Sequence, residues 1–546
     1  MTIGFWVMLS LAIAWCAYSE NFVEIPLKHK VQELKVFYKD KKLQGYNLAE
    51  LNRIARESEE GYRQGNLLRS DQLLDRAIAQ LSAVKEGTRK EELVMPTKHT
   101  FSEFPLGVGF GSVYRGEVFM PYLRELGINL TKLYVFWRQI EPQRGKYNWR
   151  VIDKFLNQLD QDSEVLIALW SNSKWGTKEH KFWGGSAPLN MDDYYKFVFT
   201  FVKHCQGKIR YWQNDCEPNA DYWKGSKEEF LSTLKVFYKA VKEADPKAKV
   251  IVGGHNGFFT PQGSPGNQPF FDYVFEQGKD YFDIFDLRLY KDIDSIPYRI
   301  EWFKKRMRDF GFRKPIVCTE YGGPMPNICP DFHSLKKRAL SLEKEIGRRG
   351  AKEMMKKEIV RGRDNFSPCL RMFMEDSSKE LQDKRHRIHC RDIVSRTILT
   401  LSCGIKKLWY WNLINPPHIT FGKFRLMDEK FKERYPAFHA YQRMVMKLRG
   451  MRSIARLKTK RKDIYLFCIQ KDQGKRLYVL WEKRDPFHGE DIPPTRFEHI
   501  IDGKTVKITD VFGNANTKET EHTRLKIDVT DTPQYVESIE ADTKSR

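Results

Sequence analysis

Eight short apolar runs, each followed by a helix-spaced pattern, constrain this chain more than any other feature. They are Leu106–Gly111, Lys132–Trp137, Glu164–Trp170, Ile209–Asp215, Lys249–Gly254, Phe282–Tyr290, Lys314–Glu320 and Lys406–Asn412. Runs this continuous belong to strands covered on both faces, which means a parallel sheet with helical crossovers. Eight such units point to a closed (β/α)8 TIM barrel with insertions, an α/β fold, rather than an open sheet. The helices between the runs carry their own signals. One opens at Ser226 with Glu229 three residues on, runs Phe230, Leu234, Phe237 and Val241 along one face, and stops before Pro246.

The rest of the chain divides around this barrel, which is expected over 96–450. Residues 1–19 have the length of a signal-peptide core, with a retained N-terminal anchor as the alternative, so the expected location is secreted or periplasmic. Residues 20–95 read as a helical segment, with a capping box at Asn47–Glu50 and apolar stripes through Leu51 and Ile54 and through Leu73, Leu74, Ile78 and Leu81. An insertion rich in Lys, Arg and Glu is expected at 324–389, over the barrel mouth. After about Gly450 the pattern alternates, and Asp463–Gln470 and Arg476–Lys483 flank a turn, which reads as a β-sandwich over 451–546 that buttresses the barrel. No apolar run after the N-terminal segment is long enough to span a membrane.

The formal charge is +23. Basic, solvated helix faces account for such a charge; an acidic partner, such as an anionic polysaccharide, is the sharper reading. The chain carries no recognisable nucleic-acid motif. Its nine cysteines form no CxxC pair, so a zinc site is not expected; their spacing names no disulfide.

In a barrel, chemistry sits at the C-terminal ends of the strands. Run four ends at Glu217 and run seven at Glu320. Run two ends at Arg138, run three at Trp170, run six at Tyr290, and run eight at Trp411 and Asn412. Two carboxylates with an arginine, a tyrosine and indoles suit a sugar: acids for proton transfer and attack, rings for its apolar face. Taken singly, each has a plainer reading. A Glu-Pro pair is ordinarily a surface turn, Arg138 could form a structural ion pair, and Tyr290 and Trp411 could be core. Glu141, in a second Glu-Pro pair, reads as a loop residue, and His255, ending run five, is a further candidate for the mouth.

The segments Phe136–Asp153, Tyr211–Asn219 (YWQNDCEPN) and Thr319–Pro324 (TEYGGP), with the closing Thr530–Glu537, resemble the retaining glycoside hydrolases of clan A, with a lean to the xylosidase/iduronidase-like family. The resemblance implies Glu217 as general acid/base and Glu320 as nucleophile. It implies that Tyr290 bonds Glu320, that Arg138 helps keep Glu320 ionised, and that Trp411 floors the sugar site with Trp170 nearby. It implies no metal or organic cofactor, an oligo- or polysaccharide substrate, and carboxyls about 5–5.5 Å apart. Two positions depart from the pattern. Cys216 stands where an asparagine usually precedes the acid/base, which leaves Asn214 as the expected partner of the sugar 2-hydroxyl. Arg288 stands where a histidine is common, which makes an anionic sugar worth testing. The rivals to a glycosidase are a non-catalytic carbohydrate-binding relative and a basic polyanion-binding surface protein.

Overall fold

The computed structural model describes residues 98–539 apart from 181–183, 221, 256–266, 291, 363–364, 375–376, 415–423, 502 and 522–523, and five earlier positions: 57, 58, 60, 64 and 73. Those positions aside, the leader and helical segment expected over 1–95 lie outside the described residues. None of the described helices is long and apolar enough to cross a membrane.

The eight runs are strands, and they are parallel. They are β1 (Leu106–Gly109), β2 (Leu130–Phe136), β3 (Glu164–Trp170), β4 (Tyr211–Asn214), β5 (Lys249–Val252), β6 (Phe285–Asp286), β7 (Ile316–Tyr321) and β8 (Leu408–Trp411). Their order is β5-β4-β3-β2-β1-β8-β7-β6. Bridges Ile251↔Ile284 and His255↔Leu287 join the two ends, so the sheet is a near-closed barrel. Helices α1 (Gly116–Leu126), α2 (Arg150–Leu156), α3 (Met191–His204), α4 (Lys227–Ala244), α5 (Asn267–Gly278), α6 (Ile296–Asp309), α7 (Lys379–Ser402) and α8 (Pro436–Leu448) follow the strands in turn. The capping box at Ser226 opens α4 as its sequence implies, and Phe230, Leu234, Phe237 and Val241 are all buried.

The barrel interior is layered, because alternate residues of each strand point inward. An apolar floor holds Leu130, Leu166, Tyr211, Ile251, Val317 and Trp409. Above it lies a polar layer: Lys132, Gln213, Asp286 and Thr319 are wholly buried. The top layer is aromatic, with Tyr134, Phe136, Trp170 and Cys216 packed together and Trp411 against them. The ring of Trp411 lies on β1, where a side chain at Gly109 would sit 2.6 Å from it.

Strand β6 is shorter than its run. The chain beyond it, from Leu287 to Tyr290, is held by side chains of two helices. Arg299 of α6 donates to the carbonyls of Arg288 (2.6 Å) and Tyr290 (2.8 Å), and Arg396 of α7 donates to that of Leu289 (3.1 Å).

The insertion after β7 is helical. The helix Phe332–Gly362 breaks at Gly347 (φ 73°), and its two legs pair, with Leu342 against Ala351 and Met355 and an Arg338–Glu358 bridge of 3.1 Å. A disulfide, Cys329–Cys369, ties its base. That base packs with Leu370, Met372 and Phe373 on Phe487, a residue of the C-terminal domain. Helix α7 begins at Lys379, so the expected end of the insertion at residue 389 falls inside a barrel helix.

The C-terminal domain is antiparallel: β9 (Met451–Arg456), β10 (Ile464–Lys471), β11 (Arg476–Glu482), β12 (Thr495–Ile500), β13 (Thr505–Asp510), β14 (Ala515–Glu519), β15 (Arg524–Val529) and β16 (Gln534–Ile539). One sheet runs β9-β10-β11-β16-β13-β14, extended at the β9 edge by the two-residue strand His99–Thr100 that precedes the barrel. Its outer face packs on the β12–β15 ribbon through Leu466, Leu480, Phe497 and Ile527. Its inner face, with Phe467, Val479, Trp481 and Tyr535, is continuous with the barrel's core. That continuity is why β10 and β11 are apolar on both faces.

Candidate active site

The turn after β4 builds one wall. Strand β4 alternates: Tyr211 and Gln213 face the barrel interior, Trp212 and Asn214 the helical layer. Two left-handed residues then re-aim the chain, Asp215 (φ 54°) and Glu217 (φ 43°). Such backbone costs about 1–3 kcal/mol per residue and persists only where the surroundings hold it. Here Asp215, wholly buried, accepts from Ser171 N (3.1 Å) and Ser171 Oγ (2.7 Å), and Ala220 N donates to the Glu217 carbonyl (2.9 Å). Burial pushes the Asp215 carboxyl up to about 7, against those two bonds. Pro218 therefore follows a left-handed residue, not the extended one a proline ordinarily favours before it. The result points both Cys216 and Glu217 inward.

Glu320, the next-to-last residue of β7, meets them. Its Oε1 accepts from Lys132 Nζ (2.7 Å) and from the Tyr134 hydroxyl, and Arg288 Nη1 stands 2.9 Å from it as an ion pair. Its Oε2 accepts from the Tyr290 hydroxyl at 3.0 Å. Arg288 is wholly buried and lies against both carboxyls, since its Nε stands 3.8 Å from Glu217 Oε1. Its Nη2 reaches Cys216 Sγ at 3.1 Å. The two positions that depart from the family pattern thus touch each other.

Beneath them, Asp286 accepts from Thr319 N (2.8 Å), Thr319 Oγ1 (2.7 Å) and Gln213 Nε2 (2.7 Å), and stands 3.5 Å from Arg288 Nη2. The Thr319 hydroxyl, having given its proton to Asp286, accepts from Lys132 (3.0 Å) and Arg288 (2.5 Å). The cations Lys132 and Arg288 balance the carboxylates of Asp286 and Glu320. Arg288 reaches Glu217 only at 3.8 Å, farther than its 2.9 Å to Glu320. Burial, and then the Glu320 charge, drive the Glu217 carboxyl far above the usual carboxylate range. Burial also acts on Glu320, but Arg288, Lys132 and the hydrogen bonds from Lys132 and Tyr134 outweigh it and hold that carboxyl well below the range. Neighbouring acids with opposed ionisation are the arrangement a paired acid and nucleophile need.

The residues singled out in the sequence divide as follows. Glu217, Glu320, Tyr290, Trp170 and Trp411 come together at the C-terminal mouth. Trp170 stacks on Phe136 (centroids 5.5 Å apart) and meets Tyr134 edge-on; Trp411 lies 5.3 Å from Tyr134. Arg138 stands at the rim, bonded to Asn172 and lying 4.2 Å over the Phe136 ring, so the cations on Glu320 are Lys132 and Arg288 instead. Asn214 is a correction. It shares the parity of Trp212, is wholly buried and faces Tyr194 of α3, away from the cavity. Arg288, enclosed by acids, is not free to meet a sugar carboxylate. His255 packs between Phe271 and Phe303 in the helical layer. Glu141 is a loop brace that accepts from Trp137 Nε1 and Gly145 N.

Solved structures share this architecture. A family 39 glycoside hydrolase from Bacteroides cellulosilyticus WH2 superposes with a TM-score of 0.54 at 14% identity, over 79% of this chain and 80% of that one. The family 30 subfamily 8 xylanase Xyn30A from Clostridium acetobutylicum does so at 0.50 and 12%, over 81% and 97%. The fold is that of barrel glycoside hydrolases. In sequence, the glycoside hydrolase family 42 model, described as beta-galactosidase, matches residues 118–177. That stretch runs from α1 through β2 and β3 and contains Lys132, Tyr134, Arg138 and Trp170. No curated protein matches the chain significantly in sequence.

Proposed function

We propose that the protein is a retaining O-glycosidase in which Glu320 attacks the anomeric carbon and Glu217 serves as general acid and then base. The observation that carries this reading is the convergence of two carboxyls, from β7 and from the turn after β4, on one buried guanidinium at the barrel mouth. Glu217, protonated, gives its proton to the departing oxygen as Glu320 bonds to the sugar. Water then enters, Glu217 takes its proton, and Glu320 leaves. Trp411 supplies an apolar face for the ring, and Trp170, buried against Phe136, packs behind it. The shared fold and the family 42 match support a carbohydrate substrate. The Cys329–Cys369 disulfide supports a secreted or periplasmic setting, where such bonds persist. The lean to the xylosidase/iduronidase-like family rests on the sequence resemblance.

A panel of aryl glycosides tests the activity. Turnover with retained anomeric configuration, read by proton NMR, is expected for at least one sugar. Glu320→Ala is expected to abolish it while the protein stays folded, and added azide to restore part of it as a glycosyl azide of inverted configuration. Undiminished turnover in that variant would remove Glu320 from the role.

A second reading, carbohydrate binding without turnover, is favoured by one observation. The usual partner of the sugar 2-hydroxyl is missing: Cys216 has a thiol, a weak donor and acceptor, and Asn214 faces the other way. Sugar binding by calorimetry with no product from any glycoside would select it.

A further inference from the structure

The two oxygens of Glu320 keep different company. Oε1 accepts from Lys132 and Tyr134 and is ion-paired with Arg288, with Cys216 Sγ 3.8 Å away; Oε2 takes the Tyr290 hydroxyl alone. Lys132 and Tyr134 fill the two lone-pair directions of Oε1, and the Arg288 cation stands against it. The lysine among them is wholly buried in the middle of β2, and its second bond, to Thr319, aims it at this spot.

We propose that Lys132, Arg288 and Tyr134 clamp Oε1 so that Oε2 is the attacking atom, and that this clamp fits the site to glycosides with acidic leaving groups. The inference rests on the retaining reading above. In the first step the Oε2–C1 bond forms, the bond from C1 to the leaving oxygen breaks, and the Glu217 proton goes to that oxygen. In the second a water oxygen bonds to C1, Oε2–C1 breaks, and Glu217 takes the water proton. The clamp draws charge away from Oε2, which slows attack and eases departure. A slowed attack favours aryl, acyl and similar departing groups, which hold negative charge well. The first step then limits turnover, and the glycosyl-enzyme does not accumulate. Lys132 acts through Glu320 and is a positioning residue.

Every element packed on Glu320 contributes to its titration. Lys132 and Tyr134 come from β2, Cys216 and Glu217 from the β4 turn, and Arg288 and Tyr290 from beyond β6, with Asp286 reaching it through Thr319. A test must therefore change one donor at a time. Tyr134→Phe removes a hydroxyl and keeps the ring; Lys132→Met removes a charge. The readouts are a leaving-group series of aryl glycosides, burst kinetics with the dinitrophenyl glycoside, the pH profile of kcat/KM, and the carbon-13 resonance of the Glu320 carboxyl, assigned by its loss in Glu320→Ala.

In the wild type, kcat and kcat/KM are both expected to fall steeply as the leaving group becomes more basic, with no burst. In Tyr134→Phe the acidic limb and the carboxyl titration are expected to rise by about one pH unit, and a burst to appear. Lys132→Met is expected to move both further in the same direction. A burst in the wild type, or a kcat independent of the leaving group, overturns the proposal and leaves the glycosidase reading standing. Failure of every glycoside, with a Glu320 resonance that titrates in the ordinary range, overturns both. Failure of every glycoside with a low titration that rises in Tyr134→Phe upholds the clamp and overturns the leaving-group fit.

Discussion

Glu217 is held in a form that costs the fold stability as the pH rises. Its carboxyl is raised in the folded state, so between the ordinary glutamate value and its own the native chain keeps a proton that the unfolded chain has lost. Stability falls across that window. Glu217→Gln cannot ionise, and its advantage over the wild type is expected to grow with pH, reaching ~2 kcal/mol at pH 8. Urea unfolding at pH 5 and pH 8 measures it; an equal difference at both would mean that Glu217 is already ionised. Residues at this scale were unevenly legible. The two glutamates stood out because each ends an apolar run. Lys132 does not stand out, because it opens its apolar run, and a lysine at a strand's start ordinarily meets water. The strand in fact begins at Leu130, which gives Lys132 the inward parity of Tyr134 and Phe136. Its partner Glu320 is remote in sequence, and nothing local announces the pair. Asn214 was misjudged for the converse reason: two positive-φ residues turn the chain after it, so chemistry passes to Cys216 and Glu217 while Asn214 stays with the helical layer.

Elements were easier to read than side chains, and for a physical cause. A strand buried on both faces must be apolar throughout, and a helix on its flank must show a stripe, so β3, β5 and α4 stand close to where their residues put them. Strand β6 is the exception. Its run is long, yet beyond Asp286 it keeps only isolated bridges, at Leu287 and Leu289, and is braced by Arg299 and Arg396 from helices far along the chain. The insertion was legible as an insertion but not as a paired hairpin closed at its base by Cys329–Cys369. Leu335 and Ile359 lie on the same small core, so the legs can be joined close to their root. Replacing Lys336–Glu358 by a short Gly-Ser linker is expected to leave the thermal midpoint within about 3 °C of the wild type. Loss of soluble protein would show that the hairpin belongs to the core.

For the whole molecule, the C-terminal sheet is an inner layer: the barrel covers one face and the β12–β15 ribbon the other. Trp481 sits between Tyr465 and Phe467 on the barrel side, with ring centroids 5.2 Å away in each case. Trp481→Ala is expected to cost about 3 kcal/mol and to lower the unfolding midpoint of barrel and sheet together. Two separate transitions in calorimetry would show the domains to be independent. The strand His99–Thr100 carries a consequence for the order of assembly. It lies just ahead of β1, yet it pairs antiparallel with Ser453 and Ile454 of β9, and Phe101 N donates to the Arg452 carbonyl at 2.8 Å. As the chain leaves the ribosome, this strand is exposed before any of the barrel and must wait for the whole of it to be synthesised. The β9 strand then returns to the place where the barrel began, so the fold is closed by a seam between the opening of its barrel and the start of the domain that follows it.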